Sequence, residues 1–174
     1  MSRWRVLAVL AIAMSLASGC GGSATGSGNP AEGVNAALAE YAQAQGAFTQ
    51  VQTDISPATV TQAWLDDKAA KLARMRDAFE ALRSEAAAVD FPQEAGQKGQ
   101  PAQATIDEFI AATDALITIE EDLLAQAQGC IDAGGAPFDC VAQVGTQSLL
   151  GVYPDVLKRA QEAALQLQAE ASRA

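Results

Sequence analysis

Hydrophobic positions along this chain recur at steps of three, four and seven, the spacing of one face of an α-helix. Val34, Leu38, Tyr41, Phe48 and Ile55 form a first stripe. Asn29-Pro30 opens it, with Asn as the cap, Pro at the first helical position and Glu32 near the positive end of the helix dipole. Ser56-Pro57 repeats the cap-plus-proline signal and predicts a second helix through Val89. Its stripe is Leu65, Leu72, Met75, Phe79, Leu82, Ala86 and Val89, flanked by Val60 and Trp64. Asp90 to Gln100, with Phe91-Pro92, Gly96 and Gly99, reads as a loop. The third helix starts at Pro101, or at the capping box from Thr105 to Glu108, and ends before Gly129 as a left-handed cap. Ile106, Phe109, Ile110, Leu116, Ile117, Leu123 and Leu124 give it a wide apolar face. The last helix begins near Asp139, breaks or kinks near Gly151 to Pro154 and runs on through Val156, Leu157, Ala160, Ala164 and Leu167. No stretch alternates as a strand would. The expected fold is all-α, an antiparallel up-down four-helix bundle over residues 29–174.

The first 28 residues break this pattern. Arg3 and Arg5 precede an apolar run from Val6 to Leu16, then Ala17-Ser18-Gly19 and Cys20. The run is too short for a membrane span of about 20 residues and has the layout of a secretory signal. It resembles the lipobox signal of bacterial lipoproteins, in which small residues precede a cysteine that takes lipid and becomes the mature N-terminus. That family usually carries Leu three positions before the Cys; here Ala17 holds that position and Leu16 lies one earlier. The resemblance implies a signal peptide over residues 1–19 and acyl chains such as palmitate on Cys20. It also implies a membrane-anchored protein facing the periplasm or the cell exterior. Gly21 is not the Asp that favours inner-membrane retention, so cell membrane and outer membrane both stay open. Residues 20–28 then form a Gly/Ser tether, roughly 15 Å long as a coil.

Composition narrows the chemistry. The 174 residues carry 11 Lys plus Arg, 21 Asp plus Glu and no His, for a net charge of −10. Loss of Arg3 and Arg5 with the signal leaves 9 basic residues against 21 acidic ones, a net −12. So acidic a body repels phosphate, and no nucleic-acid partner is expected. The absence of His removes His-based triads, His zinc sites and bis-His haem. Small exported cytochromes resemble this layout in architecture only, since their haem ligands are missing. No cofactor is expected. The acids of the third helix, with Asp107, Asp114 and Glu121 seven residues apart, lie too far from one another to hold one ion. They suit a solvated face or one that meets a basic partner.

Three cysteines remain to be placed. With Cys20 lipidated, Cys130 and Cys140 form an even pair in an oxidising setting and predict a disulfide across the third-to-fourth helix connection. A redox pair would want the Cys-x-x-Cys spacing and a cation nearby, and neither is present.

The polar residue most out of place is Glu120, because its helical neighbours Leu116, Ile117, Leu123 and Leu124 are all apolar. It must point inward and needs a partner. Thr113 lies seven residues earlier on the same line. Counting from the turns sets Lys68 or Lys71 opposite Glu120, Gln45 opposite Lys68, and Gln147 or Ser148 opposite Glu120. The expectation is a buried polar layer of Gln45, Lys68, Thr113, Glu120 and Gln147. It fixes the helix register, or it marks a ligand site inside the bundle. Trp64 and Phe91 are further candidates for a contact anchor, and Tyr153 is expected to pack at the kink.

The expected function is a lipid-anchored extracytoplasmic binding or scaffolding protein of the bacterial cell envelope, meeting another envelope protein and not catalytic. The alternative is a carrier or sensor holding a small or apolar molecule inside the bundle. An enzyme using Glu120 would want a nucleophile-base pair, and none is visible.

Overall fold

A computed structural model describes residues 30–51, 55–94 and 101–171. The signal peptide, Cys20, the tether, the Asn29 cap and the glycines of the 95–100 loop lie outside the described residues. Among those described there are five α-helices and no strand: α1 Pro30–Val51, α2 Gln62–Ala87, α3 Gln103–Asp132, α4 Pro137–Leu149 and α5 Tyr153–Ala171. None is long and apolar enough to cross a membrane.

The stripes bury as their spacing requires. Leu38, Tyr41 and Phe48 of α1 meet Leu72, Met75, Phe79, Leu82 and Ala86 of α2. Ile106, Phe109, Leu116 and Ile117 of α3, with Ala160, Ala164 and Leu167 of α5, complete the main core. At its centre the Tyr41 ring lies 6.0 Å from Phe79 and 6.4 Å, edge-on, from Phe109. A second, smaller cluster joins Leu65 of α2, Ala127 of α3 and Val144 of α4, with Trp64, Leu123, Leu124, Ile131 and Val141 packed around it.

Element boundaries depart from expectation where the chain finds a better cap. Ser56-Pro57 forms a turn, with Thr59 and Val60 N–H groups donating to the Ser56 carbonyl at 3.1 and 3.0 Å. Helix α2 starts five residues after Pro57, where the Thr61 hydroxyl accepts from Trp64 N–H at 3.3 Å. At the start of α3 the expected capping box does not form. Thr105 is buried inside the helix and its hydroxyl accepts from Gln166. The orphan donor at Ala102 is satisfied from another helix, by the Glu170 carboxylate of α5 at 3.0 Å. Gly129 is not a cap either, since α3 runs on to Asp132 and Gly134 (φ +94°) makes the left-handed turn.

Cys130 and Cys140 are joined, with Cα atoms 5.7 Å apart, so the disulfide links the last turn of α3 to the first turns of α4. Gly135 lies under it; a Cβ there would meet both sulfurs and come within 2.9 Å of the Cys130 carbonyl. Where a break or kink was expected the chain breaks, into two helices separated by Leu150, Gly151 and Val152. Pro154 falls in the first turn of α5, where its missing N–H leaves no bond unmade.

A candidate binding pocket between four helices

Lys68 lies one turn after Trp64 on α2, close to the inner edge of the helix. From there its ammonium reaches Glu120 of α3 at 3.5 Å and sits 5.3 Å from the Phe48 ring centre and 5.7 Å from that of Trp64. Two aromatic faces and a carboxylate thus replace much of the water the ammonium gives up. Glu120 is only 4% exposed. Its second oxygen accepts from the Tyr153 hydroxyl at 2.6 Å. Tyr153 opens α5 and is itself buried. Burial first, and then the Glu120 charge and hydrogen bond, push its phenol well above the usual tyrosine range. The phenol therefore stays a neutral donor to the carboxylate.

These three residues form the inner end of a pocket of about 80 Å³. Its walls are apolar: Ile55 and Trp64 on one side, Leu123, Leu124 and Ala127 from α3, and Val141, Val144 and Leu149 from α4. Gly145 lines it too, in the middle of α4, and a Cβ there would meet nothing within 4 Å. A glycine inside a helix costs about 0.5–1 kcal/mol relative to Ala. Here its missing side chain leaves the pocket its space.

The expected polar layer resolves into two separate groups. Lys68 and Glu120 meet, as the turn-counting set them. Thr113 is buried two turns away on α3 and hydrogen-bonds Tyr41, whose phenol is likewise pushed up, chiefly by burial. Gln45 is half-buried on α1, where its backbone carbonyl accepts from the Thr49 hydroxyl, and it does not line the pocket. Gln147 is exposed and takes no part, a correction to the expected layer. Ser148, the other residue the count set opposite Glu120, does line the pocket with it, and beyond the turn after Leu149 Tyr153 brings its hydroxyl to the carboxylate. Residue types gave one signal for Tyr153: a hydroxyl on the same helical line as Val156, Leu157 and Ala160, needing an acceptor once buried.

The acidic stripe of α3 finds a cation within the chain. Arg76 of α2 donates to Asp114, Thr118 and both oxygens of Glu121, and these contacts hold its guanidinium firmly charged. On the far side of α3, Glu108 accepts two bonds from Arg159 of α5, which lower its carboxyl below the usual range. Both networks tie helices together away from the pocket. Phe91 packs against the main core. Compared with protein-family models, with characterised proteins and with solved structures, the chain matches none.

Proposed function

We propose that this chain is a lipid-anchored extracytoplasmic binding protein of the bacterial cell envelope, non-catalytic, with the Lys68–Glu120–Tyr153 pocket as its recognition element. In this reading Cys20 carries the acyl chains. Helices α1, α2, α3 and α5 form an antiparallel up-down four-helix bundle, and α4 packs beside α3 to wall off the pocket. The observation that carries the proposal is the pocket itself: apolar walls, a glycine that leaves it empty, and one charged pair at its inner end. The Lys68 ammonium and the Tyr153 hydroxyl each hold one of the two Glu120 oxygens. Such a carboxylate suits a fixed recognition surface better than a general base.

The alternative, a carrier of a small molecule, is favoured by the polar group at the pocket's inner end, which could orient a head group. Its weakness is size. A dry cavity of roughly 150 Å³ takes up benzene, and this pocket has about 80 Å³. It seats an aliphatic group of a few carbons, and anything larger protrudes.

Native mass spectrometry of the protein, extracted gently from its own membrane, tests both readings. The binding-protein reading expects acyl mass on Cys20, release from the membrane on Cys20→Ala, and a second protein bound through the pocket, lost on Gly145→Leu. A small added mass in place of a protein, also lost on Gly145→Leu, would replace it with the carrier reading. Absence of acyl mass on Cys20 would remove the anchor.

A further inference from the structure

The walls of the pocket are not held alike. Along α4 the last buried side chain is Val144, and the next is Tyr153 at the start of α5. Val144 sits in the small cluster with Leu65 and Ala127, one turn after the Cys140 that is bonded to Cys130. Tyr153 is fixed by its hydroxyl on Glu120. None of the residues between these two anchors, 145–152, is buried, yet Gly145, Ser148 and Leu149 line the pocket.

Little holds this strap in helical form. Its sequence, GTQSLLGV, has two Gly, a Thr, a Ser and a Val, all poorer helix formers than Ala or Leu, and no charge to pair with a neighbour. Among the described residues its side-chain hydrogen bonds stay inside α4: the Thr146 hydroxyl donates to the Ala142 carbonyl and the Ser148 hydroxyl to the Gly145 carbonyl. Bonds of this kind compete with the helix's own and tend to bend it. The helix then ends on two bonds of the tighter three-residue spacing, from Leu150 N–H to the Gln147 carbonyl and from Gly151 N–H to the Ser148 carbonyl. Leu149, Leu150 and Val152 already stand 47%, 85% and 68% exposed, so unwinding costs them little burial. The other helices around the pocket are tied by charge, α2 to α3 through Arg76 and α5 to α3 through Arg159.

The chain also has the length to open. Eight residues span roughly 12 Å when wound as a helix and about 26 Å when extended. An unwound strap therefore bows outward while Val144 and Tyr153 stay in place.

We propose that residues 145–152 form a strap that unwinds independently of the bundle, and that its opening fits the pocket to its occupant. Closed, the pocket seats an aliphatic group of a few carbons. Open, it admits a longer chain along Trp64, Leu123 and Leu124, while Lys68, Glu120 and Tyr153 hold the inner end unchanged. The inference rests on the pocket being the recognition element, whereas the independence of the strap stands on burial and bonding alone.

Hydrogen exchange and Trp64 emission test it on the chain from residue 20 onward, with Cys20→Ser, in which Trp64 of the pocket wall is the single tryptophan. Read by NMR, the amides of Thr146, Gln147, Ser148 and Leu149 should exchange on the order of a hundredfold faster than those of Leu72, Met75 and Phe79 in the main core. Leu38→Ala cuts into that core at a residue that does not line the pocket. It should speed the core amides on the order of a hundredfold and leave the strap amides as they were. Guanidinium below the unfolding transition gives the same separation without a substitution, since a local opening exposes little surface: core exchange rises steeply and strap exchange stays level.

Two alcohols connect the strap to the pocket. 1-Propanol suits the closed volume of about 80 Å³. 1-Hexanol is larger than benzene, which takes a cavity of roughly 150 Å³. Both should shift Trp64 emission, and 1-hexanol alone should also speed strap exchange, by holding the strap open, with the core amides unchanged. Gly151→Ala stiffens the unwound strap at a position where a Cβ makes only ordinary contacts. It should slow strap exchange and weaken 1-hexanol by the same factor, about two- to fivefold, and leave 1-propanol unaffected.

Strap amides as slow as the core, or speeded with it by Leu38→Ala, would overturn the independent opening. An emission shift by 1-hexanol with strap exchange unchanged, or no shift at all, would overturn the link to the pocket. Either failure leaves the acyl mass on Cys20 and the partner protein to be found or missed by native mass spectrometry. Absence of that acyl mass, in turn, does not touch the strap.

Discussion

Lys68→Met takes away the cation and keeps the side-chain volume, so it isolates the charge pair inside the fold. Glu120, 4% exposed, would keep the Tyr153 hydrogen bond but lose its buried cation. Removing one member of a buried pair typically costs 3–5 kcal/mol. The Lys68 side chain retains 13% exposure, which points to the lower end, about 3 kcal/mol. A helical unit of about 140 residues unfolds with an entropy near 0.3 kcal/mol/K, so the variant should melt about 10 °C lower. Glu120→Leu should cost less, about 2 kcal/mol, because the Lys68 ammonium can move toward the open pocket. The double variant loses both charges and strands only the Tyr153 hydroxyl, for about 2 kcal/mol in all. The two single variants therefore sum to about 5 kcal/mol, and a coupling of about 3 kcal/mol should appear in the cycle. Guanidinium unfolding of the four proteins, followed by circular dichroism, measures it. A coupling under about 0.5 kcal/mol would refute the argument, since it would mean that solvent, and not Glu120, satisfies Lys68.

Other perturbations test the rest of the fold. The two tyrosines, Tyr41 and Tyr153, both titrate above their ordinary value of 10.0. Their contribution to stability is therefore complete below about pH 10 and is lost as pH rises through the higher folded values. Tyrosinate absorbance should rise only together with loss of helix; ionisation of a folded protein near pH 10 would contradict their burial. Replacing Cys130 and Cys140 by Ser opens a loop of sequence separation 10 and should cost about 2.7 kcal/mol by chain entropy, read as a shift in denaturation midpoint relative to the intact protein. Thr61→Ala should lose about 1 kcal/mol at the start of α2, whereas Ser56→Ala should cost less, because the Ser56 hydroxyl holds only Thr59 in the turn before that helix. Gly145→Ala should stabilise α4 by about 0.5–1 kcal/mol, and a loss in its place would show that the pocket wall has no room.

Most of the core was readable as periodicity. Leu65, Leu72, Met75, Phe79, Leu82 and Ala86 stand at helical spacing and all are buried, because a helix fixes which side chains share a face whatever it packs against. The Lys68–Glu120 meeting was readable for a related reason: short connections between neighbouring helices let positions be paired by counting. In α4 the count was off by one position: it fixes height and not which face a residue takes, and Ser148 rather than Gln147 lines the pocket. Tyr153 was missed because no local signal separates a proline kink from a proline in the first turn of a new helix. The Glu170 cap on Ala102 was illegible for a different reason. It joins residues 68 apart in sequence, and capping rules describe only neighbours in the chain.

The placement of the charged pair bears on why it is there. A device that only fixes register works best where apolar layers would otherwise slide, enclosed on every side in the dry core. Tyr41 and Thr113 fit that description, between Phe79 and Phe109 in the main cluster. Lys68 and Glu120 do not. They stand between the main cluster and the small one and form part of a pocket wall, where a Leu–Met pair would give equal packing at lower electrostatic cost. On the binding-protein reading the ammonium gives the pocket a polar inner end, so that it admits a short aliphatic group and stops it at a fixed depth. The same pair then serves both purposes, holding α2, α3 and α5 in register and setting how far an incoming side chain can go. The double variant separates them: it should keep most of its stability and its helices, yet lose discrimination between a short side chain such as Val and a long one such as Met in a docked peptide.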